Sequence, residues 1–212
     1  MIVEKDNNIL IKRLELGQYG TNAYIVVCKK TNDSLIIDAP ANANVLIDNL
    51  KGTNPKYILL THNHMDHTGA LSELRSKLQI PLATHTLDTD NLAPKPELLL
   101  SNGDDLSCGN LNFKILHTPG HTLGSLCFCI SNYLISGDTV FPGGPGKTKS
   151  PDAFRQIIKS ITEKIFTFSD STIIYPGHGQ STTVKKAKEE YNVFSTRSHD
   201  ANLHGDILWL TS

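Results

Sequence analysis

The short apolar run YILL, residues 57–60, is followed at once by THNHMDH, which places His62, His64, Asp66 and His67 within six positions. A brief, wholly apolar run bounded by polar residues reads as a buried strand. Imidazoles and a carboxylate packed this densely need water or a cation to satisfy them. The chain must therefore fold so that a strand lies in its interior while the strand's end opens onto a shared polar site. Taken alone, the cluster has three readings: a His-rich helix cap with Asp66 or Thr68 as the cap, a structural metal staple, or part of a catalytic metal centre.

The same pattern recurs downstream. Asp138 follows YLIS, His178 follows TIIYP, and His121 follows FKILHTP, each beside Gly, Pro or Thr. Ligand-type residues at successive strand ends can meet at one edge of a sheet, where rigid elements hold variable loops. His62 and His64, one residue apart, can point to the same side. The inventory is five imidazoles and two carboxylates without a thiolate, which suits borderline metals, with zinc expected and iron or manganese as alternatives. Seven donors exceed the four of a closed structural zinc site, but they suit two ions about 3.5–4 Å apart that share a carboxylate and a water. The cluster is therefore read as half of a catalytic binuclear centre. Thr61, Thr118 and Thr139 sit beside ligands and are candidates to accept imidazole N–H bonds. His85, His117, His199 and His204 are read as core or surface histidines.

Around these motifs, ILIKRLEL, NAYIVVCKK and SLIIDAP read as strands, the last two joined at Asn32-Asp33 as a hairpin. Residues 42–51, 69–78, 151–166 and 182–194 have helical spacing, with Pro151 in a first-turn position. IPLAT, LNFKILH, SLCFCI, YLISG and TIIYP supply further strands. Mixed strand and helix runs predict layers of helices over sheets. The 212 residues suit a single domain, with residues 192–212 as a tail whose Ile207, Leu208, Trp209 and Leu210 dock on the domain or on a partner. Twenty basic against 21 acidic side chains leave a net charge of −1, so no global field attracts nucleic acid or an anionic membrane. The N-terminus shows no secretory signal and no run spans a bilayer. Cys28, Cys108, Cys127 and Cys129 read as buried thiols of a reducing compartment, Cys127 and Cys129 on one sheet face. A cytoplasmic protein is expected.

THNHMDHTG, HTPGHTLGS, SGDTVF and YPGHG, in that order, resemble the motif series of the metallo-β-lactamase-fold hydrolases, most closely the glyoxalase II (hydroxyacylglutathione hydrolase) branch. The opening TNAYIVVCKKTNDSLIIDAP resembles that family's first hairpin. The resemblance implies an αββα sandwich, two mixed β-sheets flanked by helices. It also implies His62, His64 and His121 on one metal, Asp66, His67 and His178 on a second, and Asp138 bridging, with Asp66 and Asp138 as the catalytic carboxylates. A metal-bound hydroxide would attack an acyl carbon of a small thioester or ester. In the true β-lactamases of this fold the residue matching Asp138 is usually another, so antibiotic hydrolysis is not expected as the native role.

Residues 141–150, FPGGPGKTKS, read as a Gly-rich loop at the site mouth. Lys147 stands where the branch usually has Arg, turning a bidentate contact into a point charge. Lys147 and Lys149 are the candidate substrate-binding residues for an anionic group. Little chain follows His178, so the branch's full C-terminal helical domain, which contacts glutathione, is not expected. Two alternatives stand beside the hydrolase. One is a persulfide dioxygenase with a single Fe(II) on His62, His121 and Asp138. The other is a metal-binding module without turnover. Packing of the tail across a homodimer is a further alternative.

Overall fold

The structure, a computed structural model, describes residues 1–5, 7–90, 92–93 and 95–212. Its first sheet has seven strands in sequence order: β1 (Ile2–Lys5), β2 (Ile9–Leu16), β3 (Thr21–Cys28), β4 (Asp33–Ile37), β5 (Asn54–Leu59), β6 (Leu82–Thr84) and β7 (Leu98–Leu99). β1 to β4 pair antiparallel, and β4 to β7 continue parallel. Between the parallel strands run α1 (Ala43–Leu50), the single turn α2 (Met65–Thr68) and α3 (Leu71–Leu78). The second sheet contains β8 (Asp105–Cys108), β9 (Leu111–His117), β10 (Leu126–Ile130) and β11 (Tyr133–Gly137). A small ribbon follows, β12 (Val140–Phe141) with β13 (Gly144–Pro145). After α4 (Pro151–Ser160), β14 (Ile173–Pro176) and β15 (Thr182–Thr183) complete the second sheet in the order β15-β14-β11-β10-β9-β8, and α5 (Val184–Ser195) leads to the tail.

Side-chain alternation explains the layers. Along β3 every residue is buried, because both faces of the sheet are covered. Tyr24, Val26 and Cys28 face the second sheet, joining Phe113, Ile115, Phe128 and Ile135 in the inter-sheet core. Ala23, Ile25 and Val27 face outward against Leu46 and Leu50 of α1 and Leu71 and Leu74 of α3. On the other side, Cys127, Cys129 and Leu134 pack under Phe154 and Ile157 of α4 and Val184 and Ala187 of α5. The architecture is an αββα sandwich. Cys127 and Cys129 share the helix-facing side, and all four cysteines are buried and free.

Local signals account for most boundaries. Asn32 turns the β3–β4 hairpin in the left-handed region, at φ 59°, which Asn tolerates. Pro151 opens α4 behind Ser150, whose Oγ accepts from the Ala153 N–H, and Thr183 caps α5 in the same way through Lys186. The helix expected over residues 151–166 is regular only to Ser160 and finishes as a π-helical turn, Ile161–Ile165, while Thr182–Thr183 is strand rather than helix. β1, β7, β8, β12 and β13 lie outside the strands read from sequence, the last two within or beside the loop expected at the site mouth. Trp209 of the tail is fully buried against Tyr191 and Phe166 of its own chain. Among the described residues, no helix is long and apolar enough to cross a membrane.

Candidate metal centre

The ligand-type residues lie on segments that follow strand ends, and the donor atoms of these segments meet in one place. β5 delivers Thr61, His62 and His64; β9 leads to His121; β11 ends at Gly137, just before Asp138; β14 ends at Pro176, two residues before His178. The histidine cluster is not all loop. His64 precedes the one-turn helix α2, so Asp66 and His67 are successive helical residues, about 100° apart around the axis, and both still reach the centre. The donor atoms fall into three groups that each fit around one ion: His62, His64 and His121; His62, His67 and Asp138; and Asp66, His67 and His178. Asp138 lies between them, with Oδ2 3.4 Å from His121 Nε2 and 3.6 Å from His178 Nε2, and Oδ1 3.4 Å from His67 Nε2.

Hydrogen bonds behind the ligands decide which nitrogen faces inward. Thr61 Oγ1 donates to Asp38 Oδ2 at 2.8 Å, so at 3.0 Å it accepts from His62 Nδ1. His67 Nδ1 donates to Asp38 Oδ2 at 2.8 Å, His121 Nδ1 to the Lys147 carbonyl at 2.8 Å, and His178 Nδ1 to the Tyr19 carbonyl at 3.2 Å. In all four rings Nε2 therefore points into the centre. His64 is reversed, with Nδ1 2.9 Å from His121 Nε2. Three buried atoms here, His62 Nε2, His67 Nε2 and Asp138 Oδ1, have no hydrogen-bond partner of normal geometry. Buried polar atoms rarely stay unpaired. With a thiolate-free N/O donor set aimed at one point, these orphans fit divalent metal ions. Two glycines keep the centre open: a Cβ on Gly177 would overlap Asp138 Oδ1 and His67 Cε1, and one on Gly146 would overlap the Asp138 carbonyl.

Electrostatics follow from burial and these contacts. Burial and the neighbouring His67 hold His62 well below the usual imidazole range. Burial also opposes charge on His67, but Asp38 and Asp138 outweigh it and push His67 up to about 10. Contacts with Asp138 and Asp66 raise His178 to about 9. Burial opposes ionisation of Asp138, yet His178 and His67 keep its carboxyl well below the ordinary value.

Of the flanking threonines, Thr61 accepts an imidazole N–H. Thr118 and Thr139 instead bond each other at 2.9 Å and lie beside Cys127, away from the rings. His85 and His117 stack with centroids 4.0 Å apart, and His117 donates to the Leu123 carbonyl. His199 stacks on Phe194, and His204 is exposed. Lys149 lines a cleft of about 900 Å3 that opens from His64 and His121. Lys147 is exposed and meets the centre through its backbone carbonyl.

Two functional carboxylates escaped the sequence reading. Asp38 also accepts from the Thr61 N–H at 2.8 Å. It follows the apolar run SLII directly, the rule that located His62 and Asp138, so the signal was present. Asp88 had no such signal, since it lies in a 3-10 turn, Thr86–Asp88. It is 2% exposed and accepts from Asn63 N, Thr122 Oγ1 and Gly124 N at 3.3, 2.7 and 3.0 Å. It thereby ties the His62–His64 segment to the loop that carries His121.

Comparison with known proteins agrees with this geometry. The probable metallo-hydrolase YqgX of Bacillus subtilis is 32% identical over 202 residues, 84% of this chain and 94% of that protein. A hydroxyacylglutathione hydrolase of Pelagibacter ubique is 36% identical over 160 residues, 74% of this chain and 65% of that protein. The crystal structure of the BLEG-1 B3 metallo-beta-lactamase superposes with a TM-score of 0.76 at 31% identity, covering 84% of this chain and 96% of that one. Residues 16–178, a span that runs from the end of β2 to His178 and so takes in the whole ligand set, match the Metallo-beta-lactamase superfamily. This chain belongs to that superfamily.

Proposed function

We propose that the protein is a metal-dependent hydrolase that adds water to the acyl carbon of a small thioester or ester, in the manner of the hydroxyacylglutathione hydrolases. The observation that supports this reading is Asp138, a single carboxylate with oxygens 3.4–3.6 Å from three inward-facing imidazole nitrogens. That placement suits a bridge between two cations. The superfamily binds divalent metals, two in most members. His62, His64 and His121 would hold one ion, and Asp66, His67 and His178 the other. When bound, such a pair supplies an acidified water and a Lewis acid for the substrate carbonyl.

The remaining work falls to the chain. Asp38, Thr61, the Lys147 carbonyl and the Tyr19 carbonyl hold protons on the outer ring nitrogens, so the inner lone pairs stay available. Asp66, steadied by Thr21 Oγ1 at 3.3 Å, and Asp138 are the carboxylates placed to orient the attacking water by accepting its hydrogen bonds. Lys149 in the cleft, with Lys147 two residues before it, supplies positive charge for an anionic substrate. We read the setting as cytoplasmic and the partner as a small molecule, with neither nucleic acid nor membrane involved.

The test pairs two measurements: metals bound per chain, and turnover of S-lactoylglutathione beside oxygen uptake with glutathione persulfide. Two metals with thioester cleavage and no oxygen uptake is the expected result. One iron with oxygen uptake would replace the hydrolase by the dioxygenase. Bound metals without turnover of any acyl substrate would make the protein a binding module, and preferential cleavage of a chromogenic cephalosporin would move it to the lactamases.

A further inference from the structure

The cleft beside the centre has an unexpected lining. Met65 from α2, Leu87 from the 3-10 turn and Leu123 from the loop after β9 converge there, with 83, 52 and 72% of their surface exposed. Large apolar side chains left in water around a centre built from charged ligands forgo the stabilisation of burial. Neither the metal ligands nor the core requires them there. The polar groups of the same cleft are mostly committed. Asp88 serves three donors, Ser150 caps α4, and Asp152 pairs with Arg155. Lys149 has no ion pair among the described residues and lines the same cleft as His64 and His121. The cleft thus offers an apolar wall and one available cation, and both border the ligands His64 and His121.

A substrate with its carbonyl at the centre has two arms to place. In a thioester or ester of a soluble carrier the charged arm is the thiol or alcohol, which suits Lys149. The uncharged acyl arm is left for the wall. Resting on the acyl-hydrolase reading above, we propose that the acyl group is an unbranched apolar chain laid against Met65, Leu87 and Leu123, with the anionic leaving group at Lys149. In the reaction, water adds to the acyl carbon and the C–S or C–O bond breaks. The chain leaves as a carboxylate, the carrier takes one proton to become a free thiol or alcohol, and a second proton goes to solvent.

The experiment uses the metallated protein and glutathione thioesters of acetate, butanoate, hexanoate and octanoate. Full burial of one methylene corresponds to about fourfold in kcat/KM, so hexanoyl should exceed butanoyl by up to about fifteenfold. Replacing both Leu87→Ser and Leu123→Ser should flatten the series toward a hexanoyl-to-acetyl ratio near one, with metals per chain retained. Lys149→Gln should raise KM across the series irrespective of chain length. Turnover that ignores or falls with chain length overturns the proposal. Absence of all thioester turnover would refute the hydrolase reading itself, and calorimetric titration with butanoate, hexanoate and octanoate then decides the wall independently. Affinity that rises with length and is lost in the double variant supports it, and a flat series overturns it. A double variant that turns a sedimenting dimer into a monomer without altering the series assigns the wall to a second copy of the chain, which also overturns the proposal.

Discussion

Replacing Asp38 by Asn tests the reading of the centre most directly. Asp38 lies at φ 63°, a region Asn also tolerates, so the backbone can stay as it is. The carboxylate accepts three hydrogen bonds at 2.8 Å, from Thr61 N, Thr61 Oγ1 and His67 Nδ1. An amide can accept only through its one oxygen. If that oxygen serves Thr61 N, the amide N–H faces both Thr61 Oγ1 and His67 Nδ1. His67 then shifts its proton to Nε2, the atom the metal needs, and Thr61 no longer holds His62 in its tautomer. The rise of His67 from 6.5 to about 10 corresponds to about 5 kcal/mol. Asp38 shares that effect with Asp138, so its loss also lowers the proton affinity of the His67 ring in the metal-free protein. Loss of a supporting hydrogen bond behind a ligand lowers metal affinity by about 10–100-fold, and the wrong tautomer puts this variant at the upper end. Competition against a chromogenic chelator measures the affinity, and circular dichroism checks the fold. An Asp38→Asn variant that folds and binds both metals with unchanged affinity would refute the tautomer argument.

Other predictions follow from the same geometry. His67 and His178 carry protons in the metal-free protein up to about pH 10 and 9, so metal loading near pH 7 should release protons into weak buffer, and affinity should rise from pH 7 toward 9. Their contribution to metal-free stability is fully present below pH 6.5 and lost as pH rises through 9 to 10, so the melting temperature of the metal-free protein should fall over that window; a flat profile contradicts the assignment. Asp88→Ala unties Asn63 from Thr122 and Gly124. It should weaken the ion on His62, His64 and His121 selectively, leaving one tight metal per chain by elemental analysis, whereas equal loss of both would show that Asp88 acts only on the fold. Trp209→Ala should cost about 3–5 kcal/mol in denaturant unfolding. Trp209→Phe should cost far less, because the indole N–H is buried without a partner and its removal relieves about 1–3 kcal/mol.

Much of this centre was legible before any coordinates, because a ligand just past a buried strand leaves a local trace. His62, His121, Asp138 and His178 each stand after an apolar run, and Asp38 obeys the same rule. The layers were legible for a related reason. Residues 21–28 lack a clean polar alternation, and a strand buried on both faces requires a sheet covered on both sides.

What remained hidden depends on contacts between segments far apart in the chain. The Lys147 and Tyr19 carbonyls orient His121 and His178, yet every residue carries a carbonyl, so no side-chain motif marks them. Asp88 matters only because folding brings residues 63, 122 and 124 around it. The tail is a similar case: the backbone N–H of Trp209 donates to the Gly143 carbonyl, and that of Thr148 to the Gly205 carbonyl, bracing the loop that carries Lys147. By itself the sequence determined which side chains could bind metal and which strands would present them, since donor chemistry and apolar periodicity are local properties. Only the tertiary structure decided which nitrogen of each ring faces inward, which wall of the cleft is apolar and where the tail docks, because proton placement and surface shape are set by neighbours that the chain order does not reveal.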